Sequence, residues 1–309
     1  MDTKIKYATT LALTTAVISG LSNFLNKIAV TTVKDPIAYT TLKNGVVGLF
    51  LIGLIIIFGK WREIKGLNRG QLLKLLIIGA VGGFVPFALF FTGLSKTSAI
   101  NASLIHKTLF VWVLLLAVPL LKEKISRGLL AGMALIFGAN LLVGGFTGFK
   151  FSTAELMILG ATIFWAVENI IAKKALKDIS SLTVASARMV FGSIMLLALV
   201  AWQGNLGMFS SLDGTKWLWT LLASALLSSY VLTWYTALKY APVTYVATLL
   251  VPATLITNIL SAIFITHTLT GLVALSGILY TTGAGLTIYF TNKLKSAETQ
   301  ENQVSAVQL

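Results

Sequence analysis

Lys107 and Glu168 are the two residues of this chain with the strongest reason to do chemistry. Each lies deep inside a long apolar run. An ionisable side chain at mid-bilayer costs about 2.5–3.5 kcal/mol, whereas leucine or valine there would be favourable. Such groups need a partner, water or a ligand. His106 precedes Lys107, about 100° away around a helix. Ser103 shares the Lys107 face, and Asn101, Thr108 and Trp112 form the neighbouring stripe. Phe164, Trp165 and Ala172 lie on the side of Glu168. A permanent Lys107–Glu168 ion pair is one reading, but it stabilises poorly, because desolvation can exceed the Coulomb gain. A wet cavity is the other. There Lys107 and His106 would meet an anionic group, and Glu168 would meet a cationic group or carry a coupling proton.

A second polar set lies near the N-terminus. Thr15, Ser19, Ser22, Asn23, Asn26 and Lys27 recur at helical spacing on one face. Such a stripe faces protein or water, because facing lipid would leave polar groups unsatisfied. Asn23 and Asn26 either pack helix against helix through such groups or, with Trp165, shape the pocket. Lys43 and Arg188 stand at matching places in the two halves of the chain. That suggests a structural role at the bundle edge or at the mouths.

The elements that carry these residues are ten apolar spans, near 7–30, 37–59, 71–94, 98–119, 127–146, 153–176, 180–202, 215–238, 243–264 and 270–292. Twenty-two helical residues rise about 33 Å, enough to cross a hydrocarbon core of roughly 30 Å. The apolar runs are continuous rather than alternating, which argues against strands. Moving the first five spans along by 144 residues lands on the second five to within two residues. Five is odd, so the second copy enters the bilayer from the opposite side. That is the pattern of an inverted-repeat transporter.

Composition agrees. Hydrophobic residues make up 56% of the 309 residues and charged residues 11%, unlike any soluble domain of that size. The net charge of +14 would suggest nucleic acid until the cations are placed. Sixteen, among them Lys60, Arg62, Lys122, Lys173 and Lys293, fall at one set of span ends, against four (Lys34, Lys96, Lys150, Lys216) at the other. The positive-inside rule then puts both termini in the cytoplasm and leaves no case for nucleic acid. Residues 1–148 and 149–294 read as two repeats, and 295–309 as a flexible cytoplasmic tail. The first span is read as retained rather than as a cleaved signal peptide.

Gly82, Gly83 and Pro86 in the third span and Pro252 in the ninth mark expected bends or hinges, since proline frees a backbone carbonyl. No HExxH, Walker loop, nucleophile elbow or carboxylate cluster occurs. His106 and His267 are too far apart for a metal site. No catalytic residue, metal or cofactor is expected. There is no cysteine, so the redox compartment cannot be read.

Two segments carry a resemblance. The first copy reads GLSKTSAINASLIHKTLFVWVLLLAVPLLKEKISRGLLAGMALIFGANLL, and the second ALKYAPVTYVATLLVPATLITNILSAIFITHTLTGLVALSGILYTTGAGL. Both resemble the EamA repeat of the drug/metabolite transporter superfamily. Pro252 falls where that family often has proline, and Glu123 where it often has a loop glutamate. The chain departs from the pattern with Thr108 opposite Pro252 and His267 in place of the second glutamate. The resemblance implies an all-α integral membrane protein of ten helices with a central cavity between the halves. It also implies movement of small metabolites, often outward. Trp165, Trp234 and Tyr245 lie on helices that form the cavity in that family, where they could stack a ligand.

The expectation is a secondary carrier of the cell membrane that moves an amino acid or related compound by alternating access. Its partners would be that substrate, the lipid bilayer, and a coupling proton or exchanged solute. A passive channel and a non-transporting scaffold or receptor are the rival readings.

Overall fold

A computed structural model describes residues 3–143, 151–268 and 271–307. Among the described residues nine helices are long and apolar enough to cross a membrane, and a shorter apolar helix, the fifth, accompanies them. They are α1 (Thr3–Val33), α2 (Pro36–Ile57), α3 (Arg69–Ser95), α4 (Ala99–Leu121), α5 (Arg127–Val143), α6 (Thr153–Ala175), α7 (Ser181–Trp202), α8 (Gly214–Tyr240), α9 (Val243–Ile265) and α10 (Gly271–Val307). Most begin and end within a few residues of the apolar runs. The outer surface is made of side chains such as Ile57, 75% exposed, and Leu49, 71% exposed. An apolar exterior of this extent belongs in lipid.

Local chemistry sets most helix starts. Asp35, Asn68, Ser98, Ser152, Ser180 and Asp213 each accept backbone N–H groups at the N-terminus of α2, α3, α4, α6, α7 and α8. Side-chain caps satisfy donors that have no partner inside the helix. The α9 helix has no side-chain cap of its own. Glu123, beyond the end of α4, accepts from Val243 N and Thr244 N instead, at 2.6 and 3.1 Å.

The packing order repeats under exchange of the two halves. Helix α1 packs on α8, and α6 on α3. Helix α1 also packs on α9, and α6 on α4. The pairs α2–α7 and α5–α10 map onto themselves. That pattern of neighbours is a pseudo-two-fold relation between two inverted five-helix units.

Three spans are irregular. In α3 a π-helical turn covers Gly79–Phe84, with Pro86 in the first turn of the helix that follows. Helix α9 breaks between Leu249 and Ala253, at Pro252. Helix α4 breaks at the equivalent place, Lys107–Thr108, without any proline. The α3 glycines have a packing reason. A Cβ on Gly83 would lie 2.1 Å from the Arg188 carbonyl oxygen, and one on Gly192 would lie 2.5 Å from Gly83. Glycine lets the two backbones touch, as small residues do between membrane helices.

Candidate substrate cavity

A cavity of about 60 Å³ lies between the two repeats, reached by side chains of α1, α2, α3, α4, α6, α7 and α8. It holds room for a few waters or a small ligand. Its floor and walls are charged and aromatic together.

Glu168 from α6 is 1% exposed. Its Oε1 accepts from the Tyr235 hydroxyl at 2.5 Å, and its Oε2 has no hydrogen-bond partner among the described residues. Arg188 from α7 donates through Nε to Gly82 O at 3.1 Å and through Nη1 to the Tyr235 oxygen at 3.3 Å. Trp165 donates to the same Gly82 oxygen at 2.9 Å. The π-turn of α3 thus presents one carbonyl to two side chains.

Across the cavity, Lys43 from α2 donates to Asn26 Oδ1 at 3.3 Å, an oxygen that also accepts from the Tyr39 hydroxyl at 2.6 Å. The Lys43 ammonium lies 3.6 Å from the Phe91 ring centroid. His106 packs edge-on to Phe90 and tilted against Trp165, with centroids 5.4 and 4.8 Å away. Trp234 donates to Asn169 Oδ1 at 3.0 Å and stacks on Tyr230.

The pattern that defines the EamA-like transporter family matches residues 6–145 and again 152–289. The chain belongs to the EamA-like transporter family. Residues of this EamA-like chain are 29% identical over 143 positions to the Bacillus subtilis (strain 168) "Uncharacterized transporter YyaM", covering 43% of this chain and 47% of that protein. A Methanothermobacter thermautotrophicus "Uncharacterized transporter" is 24% identical over 204 positions, covering 61% of this chain and 59% of the relative. The chain therefore matches about half of the first relative's length and 59% of the second's. A solved crystal structure shares the fold with a TM-score of 0.74 at 18% identity, covering 93% of this chain and 97% of the other.

Within the EamA-like frame, His106, Glu168, Asn23, Asn26, Trp165 and Trp234 all line the central cavity. Lys107 sits just behind the wall. It is 1% exposed, at the break of α4, and donates to Ser19 Oγ at 2.7 Å with His106 Nδ1 at 3.5 Å. Among the described residues no ion pair joins Lys107 to Glu168. Asn101 lies elsewhere and donates to Glu155 Oε1 at 3.0 Å. Tyr245 lines a separate vestibule of about 480 Å³ rimmed by lysines, and its hydroxyl meets Thr9 Oγ1 at 2.6 Å. Gly82 packs against Glu168 and Arg188, Gly83 against the Arg188 backbone and Gly192, Pro86 follows the π-turn, and Pro252 marks the break in α9.

Lys43 and Arg188 differ from the sequence reading. They line the cavity rather than the bundle edge. Their depth in α2 and α7 is readable, but not their direction, because each helix is apolar around most of its circumference. The useful signal is their matching position in the two repeats.

Proposed function

We propose that this chain is a secondary carrier of the cell membrane, with both termini cytoplasmic. It moves a small metabolite, an amino acid or related compound, outward by alternating access. One observation supports this above the others. Glu168, Arg188, Lys43 and His106 surround one cavity, all buried, and among the described residues no ion pair joins Glu168 to either cation. Charges at that depth are costly and persist where a pathway uses them. The equivalent breaks in α4 and α9 add support, since discontinuous helices at the repeat interface are where carriers hold substrate. Glu168 would receive the cationic group of the cargo or a coupling proton on its open Oε2. The aromatic walls would hold the apolar part. Gly82, Gly83, Pro86 and Pro252 would serve as the points of bending.

Purified protein in liposomes preloaded with an unlabelled amino acid mixture tests this through counterflow of labelled amino acids. Saturable counterflow that Glu168→Gln reduces by about five- to 150-fold, the effect of removing one polar contact worth about 1–3 kcal/mol, is expected. Unsaturable flux would identify a channel. No flux of any labelled solute would leave a scaffold or receptor.

A further inference from the structure

We infer that the vestibule between α4, α6, α9 and α10 is a second binding site, and that its ligand carries a phosphate group. The vestibule, about 480 Å³, shares no lining residue with the central cavity. The inference is therefore independent of the carrier reading. Among the described residues six lysines line it: Lys122 and Lys124 just past α4, Lys173 and Lys174 in the last turn of α6, Lys177 just beyond, and Lys295 in α10.

These cations act on one another. Lys177 and Lys295 are both electrostatic neighbours of Lys173, and Lys174 adjoins it in the chain. Lys173 is fixed in place, since its ammonium donates to the carbonyls of Leu238, Lys239 and Ala241. Those acceptors are neutral and leave its charge in the site. Glu123 is the one carboxylate of the lining, and it too is an electrostatic neighbour of Lys173. Each of its oxygens already accepts a backbone N–H, from Val243 and Thr244. One carboxylate offsets only one of the six positive charges.

Two hydroxyls in the same lining point to a ligand independently of charge. Thr244 is 0% exposed and Thr291 3%, and neither Oγ1 has a hydrogen-bond partner among the described residues. Thr248, one turn further along α9, instead donates to the Thr244 carbonyl, the usual arrangement inside a helix. A buried hydroxyl without a partner is costly, and a ligand oxygen beside it would remove that cost.

Phosphate suits this set of donors. Its several oxygens accept from ammonium and hydroxyl groups at once, through charge-assisted bonds. Lysine stems are long and flexible, so the exposed Lys122, Lys174 and Lys177 can close on a group held in the vestibule. A carboxylate carries too little charge to answer the imbalance, and a cation would be repelled. The phosphate can belong to a soluble ester or to an anionic lipid. Leu120, Leu121 and Leu294 lie among the lysines at the span ends, where basic clusters meet headgroups.

Thermal unfolding of the purified protein tests this in two arms. In neutral detergent, millimolar pyrophosphate or glycerol 3-phosphate is compared with sodium chloride at equal ionic strength. In nanodiscs of phosphatidylcholine, phosphatidic acid is included or left out. An upward shift of a few degrees in at least one arm, beyond the salt control, is expected. A shift in the first arm alone identifies a soluble phosphate, and one in the second alone a lipid headgroup. Lys174→Gln/Lys177→Gln should weaken the effective probe by about tenfold or more, as loss of hydrogen bonds to a charged group does. Lys65→Gln/Lys74→Gln removes the same charge from exposed positions outside the vestibule and should leave binding unchanged. Thr244→Val and Thr291→Val should each weaken binding by about two- to tenfold, with the ligand-free midpoint equal or higher, because an unpaired hydroxyl is removed. The lysine pairs are exposed and keep the test decisive if a threonine variant does not fold. No shift beyond salt in either arm overturns the inference. So does equal weakening by the two lysine pairs, which is a general effect of charge, and so does undiminished binding in the Lys174/Lys177 variant.

Discussion

Lys27 and Lys173 make the same contact on the two repeats, one repeat length apart. Lys27 in α1 donates to the carbonyls of Leu94 and Ser95 at the end of α3, at 2.9 and 3.3 Å. Lys173 in α6 donates to the carbonyls of Leu238 and Lys239 near the end of α8, and to Ala241 as well. The last carbonyls of a helix lack partners within it and sit at the negative end of its dipole, so a cation there is favourable. Because the repeats are inverted, the two contacts lie toward opposite faces of the membrane.

These lysines are expected to latch opposite ends of the helix bundle. Lys173→Met should destabilise the protein by about 1–3 kcal/mol, the usual effect of losing hydrogen bonds from a charged group. Lys27→Met should have a smaller effect, with two carbonyls engaged instead of three. Thermal unfolding measures the difference. Single cysteines placed near residues 95 and 239 report the second half of the prediction, because each lysine variant should raise thiol accessibility only on its own face. Equal accessibility changes at both faces would remove the latch interpretation.

Glu123 should matter more for stability than an ordinary loop carboxylate. It caps the N-terminus of α9 from the other repeat, where α9 supplies no cap itself. Glu123→Ala is expected to cost about 0.5–2 kcal/mol, the range of a lost N-cap. His267, at the corresponding position of the second repeat, is exposed and has a left-handed backbone, with φ of 52°. His267→Gly should therefore be neutral or slightly stabilising in the same unfolding assay.

Lys107 and Glu168 should behave as independent sites. Lys107 bonds to Ser19, and Glu168 accepts from Tyr235. Replacing each with alanine is expected to lower flux by about five- to 150-fold, as for buried polar contacts worth about 1–3 kcal/mol, with protein yield retained. A Lys107→Glu/Glu168→Lys double exchange should show no rescue. Its unfolding energy should equal the summed single effects to within about 0.5 kcal/mol, as for residues without a shared contact. Rescue by the exchange would reinstate a direct pair.

Gly83 and Gly192 should tolerate no added methyl group. A Cβ at either would press on backbone within 2.5 Å. Gly83→Ala or Gly192→Ala is expected to cost about 1–3 kcal/mol or to block folding, as overpacking does. Gly45→Ala is the control, since nothing lies within 4 Å of its Cβ position. A normal melting midpoint for Gly192→Ala would contradict the close α3–α7 approach.

Ten spans, their inversion and most helix starts were legible from residue order alone. Hydrophobic run length and charge bias are properties of short segments in contact with lipid and water, and a Ser or Asp cap acts within one turn. The break in α9 was likewise marked by Pro252. The matching break at Lys107–Thr108 carries no proline, so only the fold reveals it. Which buried polar groups meet was also a tertiary decision. Depth along a helix follows from sequence, but the azimuth of a side chain on a mostly apolar helix follows from the neighbour it packs against. The packing of α2 on α7 turned Lys43 and Arg188 inward to one ring, and the packing of α1 on the first half of α4 drew Lys107 to Ser19 and away from Glu168.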